Sequence, residues 1–411
     1  MSILQKNFSA ISIALFCYTF AITSNSIFNI PVKEIFFALV VGICLLNFAK
    51  GKVYISKYSI YVLFVLLVLL TIWGLIGIIN GFNTSIVQQS LKIITCVGIY
   101  ECFCYILVNR IINISTLKKI IRQTFYLAIF FKLFLEALYV FRICDEATLI
   151  NLIKDTFSMD VMPMSINDGM LIRLGLIIDV LPLSIFPLIL LDANKKEKLF
   201  IWLAIIICLI INFSRIYILQ FCIIVLIYNI DLFKINKVRI KSIIQISFIT
   251  ILSATILIIF SSSLINMFSD RFIGDSADVS DIARIEQISS FSREIPDNLL
   301  LGKGLGSYVP YNIRSDTMPF LYELEYLALL FQFGLIGCLI IASLFFFFIK
   351  RWEISSLNNN KLKWIIYVNL LFFFLRPIFN PMLFASNTII VLVCFMIYTF
   401  DTIQNKEKRG I

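Results

Sequence analysis

Residues 284–337 collect most of the side chains with which this chain could do chemistry. Two carboxylates, Glu323 and Glu325, stand just ahead of an apolar run that starts at Leu327. Three alternating glycines, Gly302, Gly304 and Gly306, precede them, and Arg284 and Arg293 precede the glycines. A carboxylate at the edge of a membrane suits a general base, since partial desolvation favours its protonated form. Acids there would also suit a plain helix N-terminus. Guanidinium groups are always charged, and their planar fork matches phosphate oxygens in pairs. Arg173, Arg215 and Arg376 are expected with Arg284 and Arg293 at or just below one face, where together they suit a lipid-linked phosphate or pyrophosphate. Each could instead snorkel to lipid headgroups.

Other chemistries are excluded early. The chain has no histidine, so histidine triads, metal sites and proton relays are ruled out. Nine of ten cysteines lie in apolar runs and Cys144 stands alone at a loop edge, so neither a structural disulfide nor a metal site is expected. Asp270, Asp275, Asp278 and Asp281 lack the spacing of a calcium loop. The Gly-x-Gly-x-Gly stretch lacks the spacing and the Ser/Thr of a P-loop. The net charge of +10 sits in short loops rather than on a basic stripe, which argues against nucleic acid.

These residues must be positioned by membrane helices. Of 411 residues 60% are hydrophobic and mean hydropathy is +0.96, well above a soluble domain. Apolar runs long enough to cross the hydrocarbon fall at about 8–24, 35–49, 59–79, 87–109, 120–141, 171–191, 198–212, 216–232, 242–261, 326–349, 362–379 and 383–400. Every second loop is basic (Lys50 to Lys57, Arg110 to Arg122, Lys195 to Lys198, Lys234 to Lys241, Lys350 to Lys363), and so is the tail with Lys406, Lys408 and Arg409. This predicts an all-α polytopic integral membrane protein of about 12 transmembrane helices with both termini cytoplasmic. The run after Lys6 has no small-residue cleavage site and reads as a retained first helix. The expected parts are helices one to nine in 1–261, with a periplasmic loop at about 142–170; a large periplasmic loop at 262–325; and helices ten to twelve with the tail in 326–411. The long loops should contain short amphipathic pieces resting on the membrane. Within the helices, Lys132 and Glu136 are four apart and can pair, while Lys92 and Glu101 have no evident partner.

The second half resembles the signature region of the O-antigen polymerase and ligase superfamily. The resemblance rests on Arg284, Gly302-Lys303-Gly304-Leu305-Gly306, Glu323-Leu324-Glu325-Tyr326-Leu327 and Gly334-Leu335-Ile336-Gly337, in that order. Ser214-Arg215, and Arg173 followed by Asp179, resemble earlier pieces of the pattern, with Val180 and Leu181 where the family has Pro and Asn. Where ligases carry a histidine this chain has Glu323, so the resemblance leans to the polymerase (Wzy-type).

The resemblance implies a fold like the GT-C membrane glycosyltransferases and an inverting transfer of a growing glycan from undecaprenyl pyrophosphate onto a lipid-linked repeat unit. Arg215 and Arg284 would stabilise the leaving pyrophosphate, helped by Arg173 or Arg293, with no metal or other cofactor needed. Glu323, with Glu325 as runner-up, would be the base. Tyr308, Tyr311 and Tyr322 could stack on sugars, although interfacial tyrosines are common. The implied partners are the lipid-linked oligosaccharide, inner-membrane lipids and, as a further candidate, a chain-length regulator. Two rivals stay open: a ligase to the lipid A core, and a flippase of lipid-linked sugars. A flippase would be built of two similar halves with short outer loops, which this chain does not resemble.

Overall fold

The computed structural model describes residues 3–24, 26–51, 54–159, 162–166, 171–212, 214–229, 275–315, 317–357 and 359–407. The expected ninth span at 242–261, the basic residues Lys234 to Lys241 and the loop from 262 to 274 lie outside them.

The apolar runs fold as helices because a chain in hydrocarbon must satisfy its backbone groups internally. They are α1 (Ile3–Ile22), α2 (Val32–Ala49), α3 (Lys57–Ile79), α4 (Asn83–Val108), α5 (Ile114–Val140), α7 (Val180–Asp192), α8 (Lys195–Asn212), α9 (Arg215–Asn229), α11 (Glu325–Lys350), α12 (Asn360–Leu375) and α13 (Ser386–Glu407). Short α6 (Glu146–Asn151) and the more polar α10 (Asp275–Glu294) complete the described helices. Five of these, α2, α3, α4, α5 and α11, are long and apolar enough to cross a membrane. Ser56 and Asn359 cap α3 and α12 by accepting the backbone N–H of Tyr58 and Leu362.

The core forms where α1 packs on α5, α3 on α11, and α13 on both α4 and α7. One end of the bundle is cross-tied by ion pairs. Lys118 bridges Asp192 at 3.1 Å and Asp401 at 2.8 Å, and Arg351 meets Glu101 at 2.8 Å. The other end carries the site.

Two expectations are corrected here. The sixth span is not helical from its start: Leu171–Gly175 is a strand, β2, paired antiparallel with β1 (Met162–Ile166), and the helix begins only at Val180. A short apolar run does not reveal its period, and here Glu136 draws the Ile172 N–H to itself at 3.2 Å. Lys132 does not pair with Glu136 either. It bridges Asp179 at 2.7 Å, both side chains 1% exposed. Asp179 has more to offer because it also accepts the Leu176 N–H at 2.9 Å, so one carboxylate closes a whole turn.

Helix α11 is broken at Gly334 (φ 60°, ψ −173°), and the glycine loop plugs the break. The Lys303 and Gly304 N–H groups donate to Phe331 and Gln332 carbonyls at 2.9 and 2.8 Å. Beyond the break, the Leu335 and Ile336 N–H groups donate to Leu299 and Leu300 at 2.9 and 3.2 Å. Trp73 of α3 clamps both sides, its indole N–H lying 2.7 Å from the Leu301 carbonyl and 2.8 Å from that of Phe333. The backbone groups a kink would orphan are thus satisfied within the protein.

Candidate functional site

The chemistry-bearing residues gather where α10, the 295–324 loop and the start of α11 meet the turn between α12 and α13. Glu323 lies between two guanidiniums, Arg284 Nε at 3.3 Å from one carboxylate oxygen and Arg314 Nη2 at 3.2 Å from the other. Arg284 reaches from α10 and also lies over the Phe379 ring, 5.6 Å from its centre. Glu323 is 22% exposed and Arg314 37%, so solvent reaches the triplet and each ion pair is individually weak.

Glu325 turns the other way. It is 6% exposed and accepts the Leu383 N–H at 2.7 Å, which fixes the turn ahead of α13. It shares a cleft with Lys92 of α4, together with Gln89, Gln332, Tyr322 and Phe384. The void between them is about 20 Å³, room for one water. Lys92, left without a partner by the sequence, faces Glu325, and Glu101 takes Arg351 instead. Gln89 and Gln332 bond across the cleft at 2.7 Å, and Gln332 donates on to the Ser307 and Phe320 carbonyls, each at 3.0 Å.

The three glycines have positive φ (70°, 91° and 79°), but their backbone faces protein rather than an open cradle. A Cβ on Gly302 would stand 2.4 Å from the Gln332 carbonyl oxygen, and one on Gly306 2.4 Å from the Ile86 nitrogen. The motif is therefore a docking device for α11. Tyr322 is buried, with its hydroxyl accepting the Val309 N–H at 2.8 Å and its ring edge-on to Phe291. Burial pushes that hydroxyl up to about 12. Its ring face is not open to sugar, whereas Tyr311 is exposed and donates to Glu294 at 3.2 Å. The bond from Lys303 holds the Glu294 carboxyl below the usual carboxylate range.

The remaining arginines divide. Arg215 is the exposed first residue of α9. Arg173, on β2, is 8% exposed and donates through Nε to the Asn212 carbonyl at 3.1 Å. Asn212 also donates to Asp179, so Arg173 and Asp179 grip the residue that ends α8, three positions before Arg215. Arg293 is exposed near the end of α10. Nine residues separate it from Arg284, two and a half helical turns, which puts the two on opposite faces. Arg376 is buried beside α9. Arg314 was missed by sequence reasoning, since a lone arginine in a polar loop carries no periodic or motif signal.

Residues 199–342 match the sequence profile of a family described as O-antigen ligase. The matched stretch includes Arg215, Arg284, Arg293, Arg314, the three glycines, Glu323 and Glu325, while Arg173 and Arg376 lie outside it. The match supports the O-antigen polymerase and ligase superfamily, and with it a membrane enzyme that transfers a lipid-linked glycan. No curated protein matches the chain.

Proposed function

We propose that this protein polymerises lipid-linked glycan repeat units at the periplasmic face of the bacterial inner membrane. It moves the growing glycan from undecaprenyl pyrophosphate onto a hydroxyl of the next lipid-linked unit. The observation that carries this reading is the Arg284–Glu323–Arg314 triplet, with a carboxylate where ligases resembling this chain carry histidine.

The geometry suits the reaction. A pyrophosphate carries more negative charge than Glu323 and offers oxygens that match both guanidinium forks, so it competes for Arg284 and Arg314. Glu323, released, can accept the proton of the acceptor hydroxyl. That oxygen attacks the anomeric carbon opposite the leaving group, the glycosidic bond to the pyrophosphate breaks, and the anomeric centre inverts. The charge left on undecaprenyl pyrophosphate is held by Arg284, Arg314 and Arg215. Glu325, pinned to Leu383 and facing Lys92, supports the turn rather than taking the proton.

A second reading, transfer of finished glycan to the lipid A core, is favoured by the description of the matched family. Lipopolysaccharide from a deletion strain, run on a gel, separates them. A ladder collapsed to core plus one repeat, reproduced by Arg284→Ala and by Glu323→Gln, is the expected result. Loss of all O-antigen from lipid A with lipid-linked polymer accumulating would establish the ligase instead. An unchanged ladder would refute both.

A further inference from the structure

Arg376 begins the turn between α12 and α13 and is 2% exposed. Its Nη2 donates to Ser184 Oγ at 2.8 Å and to Gln220 Oε1 at 2.6 Å. The guanidinium also lies over the Tyr217 ring, 4.7 Å from its centre. None of these partners is an acid, and among the described residues Nε has no hydrogen-bond acceptor. Asp179, which acts on Tyr217, is already engaged by Lys132, Asn212 and the Leu176 N–H.

A buried cation with no acidic partner is costly to hold in a low-dielectric interior. Its surroundings suggest why a charge is kept. Tyr217 and Gln220 belong to the first two turns of α9, whose amino end carries Arg215 and the positive end of the helix dipole. Three residues beyond Arg376 in the same turn, Phe379 carries Arg284 on its ring. One turn thus links the helix of Arg215, the guanidinium of Arg284 and a buried positive charge that has no acidic partner among the described residues.

We infer that Arg376 is a buried charge reserve for the diphosphate site, an inference that rests on the glycan-transfer reading above. It does not touch the anion. Its field, together with its grip on the first turns of α9, strengthens the binding of a polyprenyl diphosphate by Arg215 and Arg284. It is a positioning residue, and neutralising it should weaken diphosphate binding while leaving the protein as stable as before.

Gln220→Glu tests this in the full chain in nanodiscs, with farnesyl diphosphate as the charged probe and farnesol as the neutral one. The substitution keeps shape and sets a carboxylate where Arg376 already bonds; it exchanges the bond Gln220 donates to Asn369 at 2.7 Å for a buried ion pair, while Asn369 keeps its own bond to the Ile365 carbonyl at 2.8 Å. The charge-reserve role predicts unchanged or raised thermal stability, farnesyl diphosphate binding weakened about tenfold, and farnesol binding unchanged. Arg376→Lys should stay within about twofold of wild type for the diphosphate, and Arg376→Met should lose what Gln220→Glu loses. Wild-type affinity in Gln220→Glu, or an equal loss for farnesol, would overturn the inference and leave the glycan-transfer reading standing. A wild-type protein that binds no farnesyl diphosphate would remove both.

Discussion

Gly304→Ala puts a methyl group into the backbone of α3. The residue has φ +91°, and a Cβ there would lie 2.2 Å from the Gly77 nitrogen and 2.6 Å from its Cα. No side-chain rotation can relieve either contact. A left-handed backbone costs an L-residue about 1–2 kcal/mol, and forced overpacking about 1–3 kcal/mol more. The docked loop should therefore lose roughly 2–5 kcal/mol. Lifting it breaks the bonds from the Lys303, Gly304 and Leu305 N–H groups to Phe331, Gln332 and Trp73. At tenfold per 1.4 kcal/mol, amide exchange at these three positions should accelerate roughly 30- to 4,000-fold. Hydrogen exchange read by mass spectrometry in nanodiscs measures this directly. Gly74→Ala is the control. It lies in the same helix, next to Trp73, with no atom within 4 Å of a new Cβ. It should be neutral or stabilising by up to about 1 kcal/mol. Wild-type exchange at 303–305 in Gly304→Ala would refute the plugged-helix account.

Three further outcomes follow from the same geometry. Arg293→Ala should leave the glycan ladder unchanged, because Arg293 is exposed on the face of α10 opposite Arg284; a shortened ladder would return it to the site. Tyr322→Phe removes the acceptor of the buried Val309 N–H, at a cost of about 1–3 kcal/mol. It should speed exchange at Val309 without changing the KM for the lipid-linked acceptor, whereas a raised KM would point to sugar stacking. The Glu294 carboxyl is held low by its bond to Lys303, so its folded value lies below its unfolded one. Its contribution is then present above the unfolded carboxylate value of about 4.3 and lost as pH falls through the folded value. Proteolysis of the 295–311 loop should rise below about pH 4 in wild type, and Glu294→Gln should flatten that dependence.

Several features were legible in the sequence because they are local. Burying a continuous apolar run compels helix, so the runs locate the described apolar helices, with edges off by up to seven residues, apart from the sixth, which begins as β2. The order of Arg284, the glycines and the two glutamates pointed to the region that the family profile also covers.

What the sequence left undecided is which polar groups meet, since such contacts join segments far apart in the chain. Glu323 and Glu325 look equivalent in a line of letters. The start of α11 turns one toward Arg284 and Arg314 and the other toward Leu383 and Lys92. The Gly-x-Gly-x-Gly stretch reads as a turn, and only the break at Gly334 shows what it fits. Lys132 could pair with Glu136 one helical turn away, yet it bridges Asp179, which also closes the turn at Leu176. Inside a membrane protein a polar group left unpaired costs far more than it does in water. The partner it takes is therefore the one that tertiary packing brings within reach, and spacing along the chain does not contain that choice.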